Sequence, residues 1–254
     1  VECPVLGNVM RFEHILRPLP GGVEVLHRVS FHGWLGGWLA RTVGRDVRAG
    51  LPVTLETLRA GKRLALVSSF GAESAILLHM VAKVAPDTPV LFLETGMLFG
   101  QTLDYRRNLV ARLGLTDVRD LRPNYQDLAV ADPQNKLHQT DTDACCEVRK
   151  VRPLDRALLD FDAWITGRKR FHGGGRARLP VIEYFEGRFK VNPLAEQTLE
   201  DLQALVAERH LPPHPMVAEG YPSIGCWPCT VRPVDPNDIR SGRWVGFKKE
   251  ECGL

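Results

Sequence analysis

Residues 64–74 read LALVSSFGAES and join a short apolar run to a polar turn that contains a glycine. Apolar residues then recur at the spacing of a helix, at Ile76, Leu77, Met80, Val81 and Val84. A buried strand that leads through such a turn into an amphipathic helix is the repeating unit of a parallel α/β sheet. The stretch therefore predicts the first strand and the first helix of this kind of sheet.

The alternation of strand and helix continues downstream. Three further strands are predicted, over residues 90–93, 118–121 and 163–166. Helices are predicted between them, over about 101–113 and 147–159, and the second begins just after a pair of adjacent cysteines. Strands that alternate with helices imply a parallel, doubly wound sheet, so we expect an α/β fold.

Changes in composition suggest how the chain is organised. Proline and glycine interrupt any periodicity in residues 1–50, so we expect an irregular N-terminal extension there. Residues 51–254 form the main domain, with its sheet over about 60–195. A hairpin is predicted near the end of this span. Residues 196–254 are rich in proline and glycine apart from one helix, which predicts a loop-dominated cap that carries the tail.

The overall charge and the cysteine content exclude several classes of function. With 33 basic and 30 acidic residues, the charge is too balanced for a nucleic-acid-binding surface. No apolar run approaches the roughly 18–20 residues of a membrane helix, and the opening lacks the pattern of a signal peptide. Six cysteines without an export signal favour metal or redox chemistry over disulfides. We therefore expect a cytoplasmic protein without nucleic-acid or membrane partners.

Most of the cysteines form a pattern that indicates chemistry. Cys145 and Cys146 form one pair, Cys226 and Cys229 form a Cys-Trp-Pro-Cys motif, and Cys252 stands alone near the end. Adjacent cysteines are awkward ligands for a single tetrahedral zinc ion, whereas a cubane lets neighbouring thiolates bind different irons. An iron–sulfur cluster is therefore favoured, with zinc, a thioredoxin-like redox pair in the second motif, and inert thiols as alternatives.

Polar and glycine residues follow the predicted strands, where the ligands of a doubly wound sheet bind. Ser68, Ser69 and Gly71 could present backbone N–H groups to an anion, or could form an ordinary helix-capping turn. Leu93 and Thr95 come at the end of the next strand and could line the same crevice, or could belong to a plain helix-entry loop.

Basic residues gather at two further places. Arg168 follows the fourth strand, close to a run of glycines, and could bind an anion or lie in a solvated loop. Arg240 and Arg243 precede Cys252, where cations would stabilise a thiolate and attract a negative substrate. The sequence thus predicts an anion site with a nucleophilic sulfur beside it.

Seven short motifs occur in the order found in the assimilatory adenylyl-sulfate (APS) and phosphoadenylyl-sulfate (PAPS) reductases. They are SSFG at 68–71, LETG at 93–96, CCEVRK at 145–150, TGR at 166–168, CWPCT at 226–230, RSGRW at 240–244 and ECGL at 251–254. Each motif alone is weak, but their order and the lone tail cysteine make the resemblance specific. The resemblance extends from about Leu64 to Leu254.

This resemblance implies a sheet of the adenine nucleotide alpha hydrolase-like type that binds the adenylyl sulfate. It implies that Cys252 attacks the sulfate sulfur and forms an S-sulfonate, from which a thioredoxin or a glutaredoxin-like reductant releases sulfite. A [4Fe–4S] cluster would be held by Cys145, Cys146, Cys226 and Cys229.

The resemblance also implies roles for residues around the sulfate. Lys150 would lie between the cluster and the substrate, and Arg240 and Arg243 would clamp the sulfate or phosphate. The remaining predicted substrate contacts are Ser68, Ser69, Gly71, Leu93, Thr95 and Arg168.

The chain departs from the family pattern after the fourth strand. The family usually has an acidic-Gln-Ser segment there, whereas residues 171–175 read FHGGG, so roles for Arg170 and Arg176 do not carry over directly. The cysteine pairs resemble the APS branch, and the SSFG loop resembles the PAPS branch. We expect APS as the substrate because chains of the PAPS branch typically lack both cysteine pairs. PAPS, or use of both substrates, is the alternative.

Two rival interpretations come from other classes of protein. A nucleotide-loop ATP pyrophosphatase that thiolates tRNA shares the sheet, but it would show a Ser-Gly-Gly-x-Asp-Ser type of loop, to which residues 70–73 (FGAE) are a poor match. A zinc-stapled binding module with an incidental Cys252 is the non-enzymatic alternative. For the assembly, the sequence predicts only that a homo-oligomer is possible.

Overall fold

The structure is a computed structural model of the 254-residue chain. It describes the strand segments 2–5, 8–19 and 22–32 by their backbone, and then residues 63–185, 187–235 and 238–253.

The described N-terminal segments form a three-stranded antiparallel sheet. Its strands are β1 (Glu2–Val5), β2 (Asn8–Leu19) and β3 (Gly22–His32), in the order β1-β2-β3. The structure differs here from the irregular extension expected for residues 1–50. Two of the residues that suggested irregular structure lie in paired positions at a hairpin end: Pro18 pairs with Val23, and Gly22 pairs with Leu19. The rest of the expected extension lies outside the described residues, and the domain boundary stays a prediction.

The main sheet has six strands in the order β6-β5-β4-β7-β9-β8. They are β4 (Leu64–Ser68), β5 (Val90–Leu93), β6 (Val118–Leu121), β7 (Ala163–Ile165), β8 (Ile182–Phe185) and β9 (Arg188–Val191). The first five strands in this order run parallel, and β8 pairs antiparallel with β9 as the predicted hairpin. The α/β doubly wound fold is therefore confirmed.

The described residues also form α-helices around the main sheet. They are α1 (Ser74–Val84), α2 (Gly100–Leu113), α3 (Tyr125–Ala131), α4 (Leu137–Thr140), α5 (Thr142–Cys146), α6 (Arg152–Leu158), α7 (Leu199–Glu208) and α8 (Pro215–Ala218). A π-helical turn, Glu147–Val151, joins α5 to α6.

The helix of the cysteine pair begins earlier than the sequence predicts. We expected it to start after Cys146, but α5 starts at Thr142. The reason is Asp141, whose side chain accepts hydrogen bonds from the backbone N–H groups of Asp143 and Ala144 and so caps the helix. Both cysteines therefore lie inside a helix, with fixed positions.

The sheet is buried on both faces, as expected for parallel strands. On one face, Leu66 of β4 packs with residues of α1, α2 and α7 in the larger core, where the rings of Phe70 and Phe92 meet edge to face at 5.3 Å. On the other face, Ala65 and Leu91 pack against α6. Because both layers fix the strands, the loops at their carboxyl ends are held at one edge. No helix in the described part of the chain is long and apolar enough to cross a membrane.

Candidate active site

The carboxyl ends of β4, β5 and β7 open onto a cleft of about 220 Å³. The strand order reverses at β4, and ligands of doubly wound sheets bind at such a switch point. Every residue that the sequence predicts as a substrate contact lines this cleft: Ser68, Ser69, Gly71, Leu93, Thr95, Lys150, Arg168, Arg240 and Arg243. The predicted nucleophile Cys252 and the predicted metal ligand Cys226 line it as well.

The turn after β4 is fixed by a buried phenylalanine. Phe70 is fully buried and has a positive φ of 50°, a conformation that costs a non-glycine residue free energy. Ser68 Oγ accepts a hydrogen bond from Phe70 N at 3.1 Å. Gly71 approaches Ile224 so closely that a Cβ would lie 3.4 Å from Ile224 O, and Ser69 stays exposed. The turn therefore has little freedom, and it offers the Ser69 hydroxyl to solvent.

The turn after β5 is joined to the Cys-Trp-Pro-Cys motif. Thr95 is fully buried, and its Oγ1 accepts a hydrogen bond from Met97 N at 3.2 Å and lies 3.3 Å from Cys226 Sγ. Since the hydroxyl already accepts from Met97, its own hydrogen can point to the sulfur. Met97 O in turn accepts from Trp227 N at 2.8 Å. Thr95 thus faces the cysteine motif as well as the cleft.

The two cysteine pairs meet in a buried place next to the cleft. Cys145 and Cys226 pack together against Met97. Burial raises the pKa of Cys145 to about 11, and the nearby sulfur atoms of Cys226 and Cys229 act in the same direction. Cys146 is buried one position further along α5, and the described cysteines are all free thiols. Two segments distant in sequence therefore bring free thiols into one neighbourhood.

This donor set fits an iron–sulfur cluster. Cys145, Cys146, Cys226 and Cys229 supply four free thiols, and in a [4Fe–4S] cluster each thiolate binds a different iron, so that even adjacent cysteines can both serve as ligands. Within the described residues, no group of three or more His, Cys, Asp or Glu side chains is placed to hold one metal ion.

The tail cysteine lies beside a lysine. Lys150 Nζ is 3.2 Å from Cys252 Sγ. A hydrogen bond from the Cys146 thiol lowers the pKa of Cys252 well below its usual range, against the effect of burial, and the charges of Lys150 and Arg243 add to the lowering. The same hydrogen bond raises the pKa of Cys146. The cation of Lys150 in contact with the sulfur favours the thiolate of Cys252, the form in which a cysteine is nucleophilic.

Lys150 reaches Cys252 from the π-helical turn. π-Helical turns are rare in proteins, and those that do occur are often found at functional sites. Lys150 is buried, and burial alone would lower its pKa. The nearby sulfur atoms of Cys252, Cys226 and Cys146 outweigh burial and raise the pKa of Lys150 instead. Lys150 is thus a cation placed between the cysteine pairs and the cleft.

Arg243 is held against the Cys-Trp-Pro-Cys motif. Its Nε donates to Cys229 O at 3.2 Å, and its guanidinium carbon lies 4.4 Å from the centroid of the Trp244 ring. A Cβ on Gly225 would lie 2.2 Å from Arg243 Nη2. The glycine before the motif therefore makes room for the guanidinium group.

The other two predicted arginines are oriented by protein oxygens. Arg240 Nη2 donates to Glu250 O at 2.6 Å. Arg168 pairs with Glu183 of β8, and its Nε lies 3.4 Å from Asn192 Oδ1. Both arginines line the cleft with their positions already set.

Several residues that the sequence prediction did not name as contacts also line the cleft. They are Glu73, Thr166, Lys169, His172, Arg176, Trp244 and Glu251. Thr166, Trp244 and Glu251 lie inside the family motifs, so the motifs could have indicated them. Glu73 carried no such signal, because its partners are remote in sequence: it pairs with Lys169 and lies 3.3 Å from His172 Nε2. Burial would raise the pKa of Glu73, but His172 and Lys169 lower it to about 2.

The chain matches the phosphoadenosine phosphosulfate reductase domain over residues 63–232. A relative from Mesorhizobium japonicum, named adenosine 5'-phosphosulfate reductase, is 48% identical over 225 residues, which cover 86% of this chain and 88% of the relative. A relative from Gloeobacter violaceus, named phosphoadenosine 5'-phosphosulfate reductase, is 43% identical over 201 residues, which cover 76% of this chain and 83% of the relative.

A solved structure shows the same relationship. The crystal structure of the PAPS reductase from Candida auris, a phosphate complex, superposes with a TM-score of 0.59 at 26% identity, and covers 78% of this chain and 98% of that chain. The domain match spans more than half of this chain, and relatives well above 30% identity cover most of it. The chain therefore belongs to the phosphoadenosine phosphosulfate reductase domain family and is an oxidoreductase.

Proposed function

We propose that this enzyme reduces APS to sulfite and AMP in sulfate assimilation, with Cys252 as its nucleophile. The observation that carries the proposal is the 3.2 Å contact between Lys150 Nζ and Cys252 Sγ at a cleft lined by strand-end turns and arginines. A thiolate stabilised by a buried cation suits attack on the sulfur of an anionic sulfate group.

In the first step, the thiolate of Cys252 attacks the sulfate sulfur. A bond forms between Cys252 Sγ and this sulfur, the bond from sulfur to the bridging oxygen breaks, and AMP leaves with the electron pair of that bond. Arg240 and Arg243 line the cleft next to Cys252, so their guanidinium groups would bind the sulfate and stabilise charge on the departing phosphate. The enzyme then carries an S-sulfonate on Cys252.

In the second step, a dithiol reductant of the thioredoxin or glutaredoxin type releases the product. One reductant thiolate attacks Cys252 Sγ, the bond to the sulfonate breaks, and sulfite leaves with its electron pair. The second thiol of the reductant then breaks the mixed disulfide and regenerates Cys252. The two electrons of the reduction come from the reductant, which ends as a disulfide.

Cys145, Cys146, Cys226 and Cys229 would hold a [4Fe–4S] cluster. When bound, the cluster supplies a fixed charge next to the cation of Lys150. The Thr95 hydroxyl, 3.3 Å from Cys226 Sγ, would donate to that ligand. We assign the cluster no electron transfer, because the thiol steps already balance the two electrons.

For the substrate, we propose APS before PAPS. The Mesorhizobium relative, named for the APS reaction, is 48% identical, and the Gloeobacter relative, named for the PAPS reaction, is 43% identical. Both cysteine pairs are present, which also favours APS. Use of PAPS, or of both substrates, is the alternative. Because the described cysteines are free and the reaction needs a dithiol, we propose a reducing compartment, the cytoplasm. A homo-oligomer stays a prediction.

The test is the intact mass of the iron-containing protein after anaerobic incubation with APS or with PAPS, without a reductant. We expect a mass gain of one SO3 group, which Cys252→Ser abolishes and reduced thioredoxin removes. The substrate with which the mass gain appears faster is the candidate for the physiological substrate. Iron and acid-labile sulfide are measured on the same sample.

Other outcomes would contradict the proposal. Protein that holds its iron and gains no mass with either substrate is not a reductase of this mechanism, and the ATP pyrophosphatase interpretation would then be tested by release of pyrophosphate from ATP. Zinc without labile sulfide would contradict the cluster. A visible spectrum that bleaches in step with turnover would contradict a cluster without electron transfer.

A further inference from the structure

The segment in which this chain departs from the family pattern lies against its own tail. Two short 3-10 turns, Arg170–His172 and Gly174–Arg176, follow β7, and residues 171–175 (FHGGG) lie within and between them. The proposed chemistry gives them no role. Three consecutive tail residues, numbers 249–251, contact these turns or helix α5, and the next residue is the nucleophile Cys252.

The central contact of this region joins Arg176 to Glu251. Arg176 donates from Nε to Glu251 Oε1 and from Nη2 to Oε2, the second bond at 2.5 Å, so the pair is bidentate. Glu251 Oε1 also lies 3.7 Å from Arg240 Nη2. The Arg176 side chain is 15% exposed and that of Glu251 is 37% exposed. A bidentate, partly shielded pair of this kind is stronger than a solvated surface pair with a single contact.

His172 orients the Arg176 guanidinium group. Arg176 Nη1 lies 2.9 Å from His172 Nδ1, and since arginine has only donors, this ring nitrogen must accept. The other ring nitrogen, Nε2, then carries the hydrogen and points to Glu73 Oε2 at 3.3 Å. Glu73 is itself held by the buried Lys169. A chain of contacts therefore runs from the turn after β4 through His172 and Arg176 to the tail.

Contacts on either side of Glu251 hold the same stretch of tail. Gly175 N donates to Glu250 Oε2 at 3.2 Å. Gly174 has a positive φ of 53°, and a Cβ on it would lie 2.5 Å from Glu250 Oε2, so the glycine run lets the tail approach. Lys249 pairs with Asp143 in the first turn of α5. The tail is thus held between the glycine run and the helix of the cysteine pair.

We propose that Arg176, oriented by His172, is a positioning residue that holds the tail through Glu251 and so keeps Cys252 next to Lys150 in the cleft. The proposal deepens the proposed function and rests on it for the consequence in catalysis. The placement of Cys252 itself can be measured without any substrate.

The first readout is the rate at which N-ethylmaleimide modifies Cys252 in the iron-containing protein, followed by peptide mass spectrometry. The variants are Arg176→Gln and Glu251→Gln, with Arg178→Gln, an exposed arginine of the same loop, as the matched control. If the pair holds the tail, both variants release Cys252, and N-ethylmaleimide modifies it about tenfold faster in each. A tenfold change corresponds to a free energy between that of an exposed ion pair and that of a buried one. Arg178→Gln is expected to match the wild type.

The two variants separate positioning from simple electrostatics. Losing the cation of Arg176 would raise the pKa of Cys252 and slow its modification, whereas losing the anion of Glu251 would lower the pKa and speed it. Only release of the tail would make the modification of Cys252 faster in both variants. The exchange variant Arg176→Glu with Glu251→Arg restores the pair in reverse and is expected to bring the rate back toward that of the wild type.

The second readout is S-sulfonate formation with APS at saturating concentration. We expect both single variants to form it about tenfold more slowly and the exchange variant to recover part of that loss. Opposite changes in the two modification rates, or unchanged rates in both, would overturn the proposal. If the modification rates change as expected while even the wild type forms no S-sulfonate, the tail contact stands and the proposed function fails.

Discussion

Lys150 Nζ and Cys252 Sγ lie 3.2 Å apart, although the two residues are 102 positions apart in the sequence. The lysine comes from the π-helical turn after the cysteine pair, and the cysteine comes from the tail. Removing the lysine charge should leave the tail in place and weaken the stabilisation of the thiolate.

Lys150→Gln is therefore expected to slow S-sulfonate formation by about a hundredfold, the usual effect of losing one buried stabilising donor. The rate is measured by intact mass in a single turnover with saturating APS. Lys248→Gln removes an exposed lysine of the same tail and serves as the control, with a rate within about twofold of the wild type. A wild-type rate in Lys150→Gln would exclude the lysine from the chemistry.

Gly225→Ala tests the space next to Arg243. The added Cβ would lie 2.2 Å from Arg243 Nη2 and 2.6 Å from its guanidinium carbon, so the guanidinium group must move. A charge-assisted hydrogen bond contributes about 1.5–3 kcal/mol, so S-sulfonate formation should slow by roughly ten- to a hundredfold. Gly100→Ala, where a Cβ has no neighbour within 4 Å, is the matched control. Equal rates in the two alanine variants would refute the role of Arg243.

Asp132→Asn tests the buried ion pair that holds the turn after β5. Arg149 Nη2 lies 2.7 Å from Asp132 Oδ2, both side chains are nearly inaccessible, and Arg149 Nη1 donates to Thr95 O at 3.1 Å. The variant leaves a buried cation without its counter-charge, at a cost on the order of 3 kcal/mol. For a chain of this size, Tm should fall by about 10 °C.

The control for this variant is Glu147→Gln, which breaks an exposed pair with Arg152. An exposed pair contributes less than about 1 kcal/mol, so Tm should fall by no more than about 3 °C. Thermal unfolding of both variants at pH 7 measures the difference. Similar Tm values for the two would show that the Arg149 pair adds little stability.

Lys190→Met tests a lysine that is buried in the sheet. Burial lowers the pKa of Lys190 to about 8, and its Nζ lies 5.8 Å from the centroid of the Trp164 ring. Between this pKa and the usual value of about 10.5, the unfolded chain binds a proton that the folded chain does not, so this lysine makes stability rise with pH. Below pH 8 the lysine is charged in the folded protein, so the full free-energy cost of burying that charge lowers the stability.

We therefore expect Lys190→Met to be more stable than the wild type at pH 7, by on the order of 2 kcal/mol, with a smaller gain at pH 9.5. The Tm difference between the two proteins at these pH values measures it. Lys83→Met, at an exposed site on α1, should show no such dependence on pH. A gain that grows with pH would contradict the assigned direction of the shift.

The core elements of the fold could be predicted because each carries its own local pattern. Leu64–Ser68 and Val90–Leu93 are buried on both faces, so their apolar runs stand out, and helix spacing marks Ser74–Val84. The start of α5 was missed because a single cap, Asp141, moves it upstream of the cysteines. The N-terminal strands were missed because Pro18 and Gly22 lie at a hairpin end within paired strands, and not in a break between elements.

The predicted contacts at 68–71, 93–95 and 168 line one cleft because the strand ends of a parallel sheet share an edge, whereas tertiary packing brings Lys150, Arg240 and Arg243 to the same cleft. The contacts of Glu73 could not be predicted, since its partner Lys169 is 96 positions away and nothing in the local sequence links the two.

By itself, the sequence determined the α/β class, the order of the strands along the chain, and the residue types that can carry thiol and cluster chemistry. These follow from local patterns of burial and from short motifs. Only the tertiary structure decided that the tail lies in the cleft, with Cys252 beside Lys150 and Glu251 on Arg176. Such contacts form between surfaces that packing brings together, and their free energies depend on shielding from water that no local pattern records.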